Sequence, residues 1–381
     1  MARKTVRQLG RRLAELGMVT EEKAATVLAD IAEWREEHLD EDLDERNVLA
    51  WLPEFGAAIS VHGEDVDFVE DYYRYLLETE ATACTGGAVV VTDVQLIDDE
   101  DHGEVLHFRR NGEPVWWHVE HESDDYVDQA SVAEQISDLD PGGDDPRMFH
   151  FIRPEKIESC QDDVYLLATP EQARALSTEF DLAIDGLDRT WPRLGPPPTA
   201  EPGTAEWYRQ DDRRSMTEPA TEFLDRWLSD MDSALGGWRT AFLPSDFPYD
   251  FSPDSLDALE PLVSARFTDR SAVWAAADDP FVAGAVRYLG EILIRSVPSR
   301  WAYRDLVDSP YDRVPLIRPD TPPAFWAVVV PLHTLADAAA DPGSGTFADA
   351  VQELRDAVDW YTTALHALTP EDSDAAPVSS D

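Results

Sequence analysis

The chain has 381 residues, of which 78 are acidic and 31 basic, giving a formal net charge of −47 at neutral pH; only Lys4, Lys23 and Lys156 are lysines. That balance excludes nucleic-acid or anionic-membrane binding through the general surface, since both depend on clustered Lys and Arg. The apolar fraction of 43% and 12 tryptophans suffice for real cores, and the length fits two or three domains of ~100–200 residues each.

Other exclusions follow from local patterns. The longest strongly apolar run, 325–335, is far short of the ~20 residues that span a bilayer. The N-terminus lacks the apolar segment of a secretory signal. Cys84 and Cys160 form no CxxC and have no His pair nearby, so neither a disulfide framework nor a zinc site is expected. These features predict a cytoplasmic protein. The acid is uneven: residues 1–190 hold 46 acidic and 16 basic side chains, net −30, and residues 191–381 hold 32 and 15, net −17. Residues 1–18 run the other way, with Arg3, Lys4, Arg7, Arg11 and Arg12 against Glu15. The alternatives for this arm are a weak nucleic-acid or lipid contact and pairing with the chain's own acidic helices; the second is expected, because a few cations on so negative a body bind weakly and are screened by salt.

In chain order, residues 1–80 read as helices. Val6, Leu9, Leu13 and Leu16 recur at helical steps and stop at Gly17. Thr20 caps a second helix, with Ala24, Val27, Leu28, Ile31 and Trp34 on one face. A third follows Asp65 with Val66, Val69, Tyr73 and Leu77. Residues 81–186 read as an α+β domain of order β-β-β-α-β-β-α. Its first strand lies in 88–97. Asn111-Gly112 then supplies the positive φ angles of a type I′ turn between two strands. That turn pairs Leu106 with Trp117 and Phe108 with Val115 on a core face, and His107 with Trp116 and Val105 with His118 on the other. A helix carrying Val132, Ile136 and Leu139 follows, then strands 148–152 and 164–168, then a helix opened by Thr169-Pro170 and running to about Ile184.

Residues 187–216, rich in proline, read as a linker. Residues 217–368 form a mainly helical module. Ser252-Pro253-Asp254 and Asp279-Pro280 start helices, and 300–304 with 314–317 make a short strand pair. A helix opened by Pro322-Pro323 must kink or break at Pro331, and 347–368 form the last helix. Residues 369–381 read as a disordered tail.

Candidate chemistry is sparse. His107, Trp116, His118 and Glu120 share one hairpin face, and His150 points away from the core in its own strand. Imidazoles beside a carboxylate suit a metal or general base, but no ligand spacing is present, and the alternatives are a partner-binding face or a solvated sheet face. The acidic runs 40–45 and 98–101 lack the offsets of a calcium loop. No phosphate-binding loop, dinucleotide fingerprint or nucleophile elbow occurs, so no cofactor is implied. Cys84, beside Gly86-Gly87, reads as a small buried thiol rather than a nucleophile. Glu291 falls on a largely apolar helix and needs a partner, Arg295 or Arg300; the sharper alternative is a carboxylate or phosphate ligand held by Arg287, Arg295 and Arg300.

The second module, through Ser252-Pro253-Asp254-Ser255-Leu256, Tyr288-Leu289-Gly290-Glu291, Arg300-Trp301 and Pro315-Leu316-Ile317, resembles uncharacterised bacterial domains found near toxin–immunity loci of the polymorphic-toxin type. The resemblance spans residues 217–368 and implies a small acidic cytoplasmic protein that neutralises a toxin by binding it. The leading expectation is therefore a non-enzymatic protein whose acidic N-terminal half covers a basic protein partner, anchored by aromatics such as Trp116. The alternatives are an enzyme using the His107/His118/Glu120 face, and charge that serves only solubility in a salt-adapted host.

Overall fold

A computed structural model describes residues 4–64, 66–123, 125–154, 161–187, 195–305, 311 and 313–368. The chain divides into two compact units, Met1–Trp191 and Pro192–Asp381. It is α+β, with helices leading into antiparallel sheets and a mostly helical second unit.

Unit 1 opens with α1 (Val6–Glu15), α2 (Glu21–Arg35) and α3 (Glu45–Glu54). Each is capped by an oxygen that accepts an orphan amide: Thr5 from Gln8, Thr20 from Lys23, Asp44 from Asn47. Gly17, at φ +70°, turns the chain out of α1. Trp34 does not join the α2 face; it is 91% exposed. Three cations of the basic arm are paired internally. Arg7 meets Asp40 at 3.1 Å, Arg12 meets Glu179 at 2.7 Å, and Lys4 bonds Asp181. The acidic run 40–45 is accordingly structural, with Asp40 and Asp42 taking donors from the arm and Asp44 capping α3.

A strand that the helical reading of residues 1–80 omits, β1 (Ala58–His62), follows α3. The expected third helix runs from α4 (Val69–Arg74) through a π-helical stretch, Tyr75–Ala81, into α5 (Thr82–Cys84). Then come β2 (Val91–Asp99), β3 (Gly103–Arg110), β4 (Glu113–Val119), α6 (Gln129–Gln135), β5 (Met148–Arg153), β6 (Asp162–Ala168) and α7 (Pro170–Phe180). The last helix ends earlier than expected because Asp181 adopts a left-handed conformation, φ +55°, and returns the chain as β7 (Ala183–Ile184).

The strands make a four-stranded antiparallel sheet of order β1-β6-β5-β7 and a three-stranded sheet β2-β3-β4. Both faces of the first sheet are buried. Ile152, Val164 and Leu166 pack with Leu9, Leu13, Leu52 and Leu176 of the helices. Ile59, Phe149, Tyr165 and Leu167 pack with Tyr73, Leu77, Leu106 and Trp117. Burial pushes the Cys84 thiol up to about 12, in keeping with a buried thiol; Cys160 lies outside the described residues.

Unit 2 contains α8 (Ala205–Arg214), α9 (Glu218–Ser229), α10 (Met231–Phe242), α11 (Leu256–Ser264), α12 (Arg270–Ala275), α13 (Pro280–Ser296), β8 (Ser299–Ala302), β9 (Leu316–Pro319), α14 (Pro331–Ala340) and α15 (Thr346–Leu368). The stretch read as a linker thus holds α8, capped by Thr204 and seated by buried Tyr208. Pro322-Pro323 opens no helix. The chain there is extended enough for Val329 to bridge Ile317, and Pro331 takes the first helical position of α14, where its missing amide is harmless. The tail 369–381 lies outside the described residues.

Helix α13 is the axis of unit 2. Apolar on most of its circumference, it packs against α10, α14, α15 and the β8–β9 ribbon. Two glycines let indoles approach its backbone. A Cβ on Gly284 would stand 2.1 Å from the Trp238 ring, and one on Gly290 would stand 2.1 Å from Trp301. Trp238 cannot retreat freely, because its indole N–H donates to the Phe281 carbonyl at 2.9 Å. Gly284→Ala is therefore expected to lower stability by about 1–3 kcal/mol through overpacking, read as a lower urea midpoint; an unchanged midpoint contradicts this packing.

Among the described residues, no helix is long and apolar enough to cross a membrane.

Candidate functional site

The hairpin register is as the turn dictates: Leu106 opposite Trp117, His107 opposite Trp116, Phe108 opposite Val115, Val105 opposite His118. Asn111 and Gly112 take φ +52° and +85°. What differs is the exposure of the second face. His107 and Trp116 are each 5% exposed, and Val105 is fully buried beside them. Side-chain alternation fixes which residues share a face, but not whether that face is wet, and both faces of β3 are covered. His107 and Trp116 pack as a cross-strand ring pair, tilted at 57° with centroids 4.5 Å apart. His150 is buried as well, sharing the face of Ile152, with its Nε2 hydrogen-bonded to the Ala168 carbonyl at 3.2 Å. Of the five residues read as a partner-binding face, only His118 and Glu120 are exposed.

Glu120 stands instead at a second feature of unit 1, a cleft of about 430 Å³ whose wall includes Glu64, Glu120, Glu122, Tyr126 and Asp128. Backbone hydrogen bonds from Val66 to Asp125 and from Val127 to Gly63 draw two loops together around it. Burial opposes the charge on Asp128, but hydrogen bonds from Ser131 and the Glu120 amide outweigh it and hold the carboxyl below its ordinary value.

In unit 2 the expected Glu291 pairing is only partly realised. Glu291 accepts the Trp301 indole N–H at 3.0 Å and lies 3.7 Å from Arg295. Arg300 does not meet it. The ligand set Arg287, Arg295 and Arg300 is not assembled either, because Arg287 stacks over Trp227 and Arg295 over Phe251. Arg300 turns to residues the sequence reading missed. It lies directly opposite Arg318 in the β8–β9 register, and Asp212 of α8 bridges the two. Asp212 Oδ2 is 2.7 Å from Arg300 Nε, and Oδ1 is 2.6 Å from Arg318 Nη1. Arg300 Nη1 also reaches Asp320 at 3.2 Å, and the other Asp320 oxygen takes Arg209 at 3.2 Å. Arg209, Asp212, Arg300 and Arg318 line a cleft of about 270 Å³ between α8, α9, α13 and the ribbon.

A signal for this network existed. Tyr208, Asp211 and Asp212 stand three and four residues apart, one face of a helix, but prolines before them made the stretch read as a linker. Register also mattered, since without it Arg300 and Arg318 were only two arginines in two strands.

Comparison of the chain with family models, with curated proteins and with solved structures finds no match. The site must be read from its own chemistry.

For His107, that chemistry is structural. Burial, with Arg109 adding to it, pushes the imidazole down to about 4, so it is neutral in the folded protein at neutral pH. The unfolded chain takes up the proton first as pH falls, so the associated stability is complete above about 6.5 and lost on the way to 4. His107→Gln is expected to shrink the stability difference between pH 7 and pH 4.5 by about 1–2 kcal/mol, measured by urea unfolding at both values. An undiminished difference contradicts a neutral buried role.

Proposed function

We propose that the protein acts by binding a basic protein partner through unit 1, whose carboxylate-walled cleft receives a Lys or Arg side chain. The carrying observation is convergence: Glu64, Glu120, Glu122 and Asp128 meet at one concavity with Tyr126 on its wall. The unit around it has a net charge of −30. The arm's Lys4, Arg7 and Arg12 are engaged with Asp181, Asp40 and Glu179, none of which lines the cleft. Complementary charge speeds encounter, and an aromatic on the wall supplies the apolar contact that a hot spot needs. Tyr126 takes the anchoring role that buried Trp116 cannot. The resemblance of residues 217–368 to immunity-associated domains adds a partner class, a toxin whose cationic working surface is covered on binding.

Partner capture from the native host, with the wild-type chain and a Glu64→Lys/Glu120→Lys/Glu122→Lys variant as baits, tests the reading. Basic proteins retained by wild type at low salt are expected to be lost by the variant, with association slowed about tenfold or more. Equal retention by both baits, or capture of no basic protein, sinks it.

A further inference from the structure

Unit 2 carries 15 basic residues, every one an arginine, and Arg209, Arg213, Arg300, Arg304 and Arg318 all line the cleft above the ribbon. In so acidic a chain, that is a concentration of the scarce charge. The two carboxylates on the wall are already engaged, Asp212 by Arg300 and Arg318, and Glu291 by the Trp301 indole and Arg295. The arginines are not equally satisfied. Arg213 pairs with Asp225 at 2.8 Å. Arg318 is 9% exposed, and of its donors Nη1 is the one held by Asp212. Arg304 is exposed and has no carboxylate within ion-pair distance among the described residues.

Much of the remaining lining is apolar, Leu224, Leu228 and Ile294 among it. Arginines and apolar side chains lining one cleft are the make-up of a pocket for an amphipathic small molecule. We propose that this cleft binds a small organic anion, a carboxylate or phosphomonoester on an apolar body. Its oxyanion lies against Arg304 and the cleft edge of Arg318, and its body against Leu224, Leu228 and Ile294. Guanidinium forks suit either oxyanion, because both offer two oxygens to paired donors. Electrostatics around Arg318 point the same way. Burial lowers the affinity of Arg318 for its proton, Asp212 counters this, and Arg304 and Arg300 add to the lowering; an anion between them relieves the mutual repulsion.

Titration calorimetry on the full chain with phenyl phosphate and with benzoate tests the site, inorganic phosphate and benzyl alcohol serving as comparisons. At least one organic anion is expected to bind saturably at one site per chain, and the tighter of the two identifies the oxyanion. Inorganic phosphate should bind about tenfold more weakly and benzyl alcohol not at all, since each lacks half of the recognition. Arg304→Ala, a change at an exposed side chain outside the Asp212 network, should weaken the organic anion about tenfold. Arg355→Ala, on α15 and off the cleft, should not. The proposal is overturned if neither organic anion binds saturably, if Arg304→Ala binds as tightly as wild type, or if benzyl alcohol binds equally well.

Discussion

Two guanidinium groups face each other across a two-stranded ribbon, and one carboxylate makes that arrangement tolerable. Arg300 and Arg318 are direct cross-strand partners, a placement that is unfavourable for like charges, and they are only 7% and 9% exposed. Asp212 answers both at once through its two oxygens. A two-stranded ribbon is marginal alone. This one is held from one side by α13, where the Trp301 indole lies on Gly290, and from the other by the carboxylate of α8. Because a buried charge left without a partner costs several kcal/mol, the position of α8 is tied to the ribbon, and the shape of the cleft above it follows.

Much of the fold was legible where local rules act alone. Asn111-Gly112 set the turn, the turn set the register, and period two then assigned every side chain of β3 and β4 to a face. Caps at Thr20, Thr169, Ser252 and Asp279 marked helix starts because each satisfies an amide the helix cannot. Where tertiary burial decides, the sequence was silent. β1 is a five-residue run in which Ile59 and Val61 alternate with Ser60 and half-buried His62, a pattern too short to stand out from the helix before it. Trp116 and His107 read as an outer face because polarity suggested water, yet that face is covered.

The candidate sites divide along the same line. Glu120 stands at the end of the hairpin, and Glu122 and Asp128 follow it in the same connection to α6, but Glu64 comes from the loop after β1 and only the folded chain brings it to them. Arg300 stands out in the sequence for its neighbourhood, and its partners are 88 and 20 residues away. The charge of the chain also acquires a structure. Unit 1 pairs Lys4, Arg7 and Arg12 of its own arm and carries a carboxylate cleft, while unit 2 gathers arginines into a cleft of opposite character.

The bridging role of Asp212 is most directly measured by a double-mutant cycle between Asp212→Asn and Arg318→Met, with the opening energies of β8 and β9 amides read by native-state hydrogen exchange on the full chain. If one carboxylate holds two opposed arginines, losing Asp212 should cost far less once Arg318 is gone, since Arg300 then keeps Asp320 and is free of its cross-strand like charge. The expected coupling is about 2 kcal/mol or more. Costs that simply add, within about 0.5 kcal/mol, contradict the account.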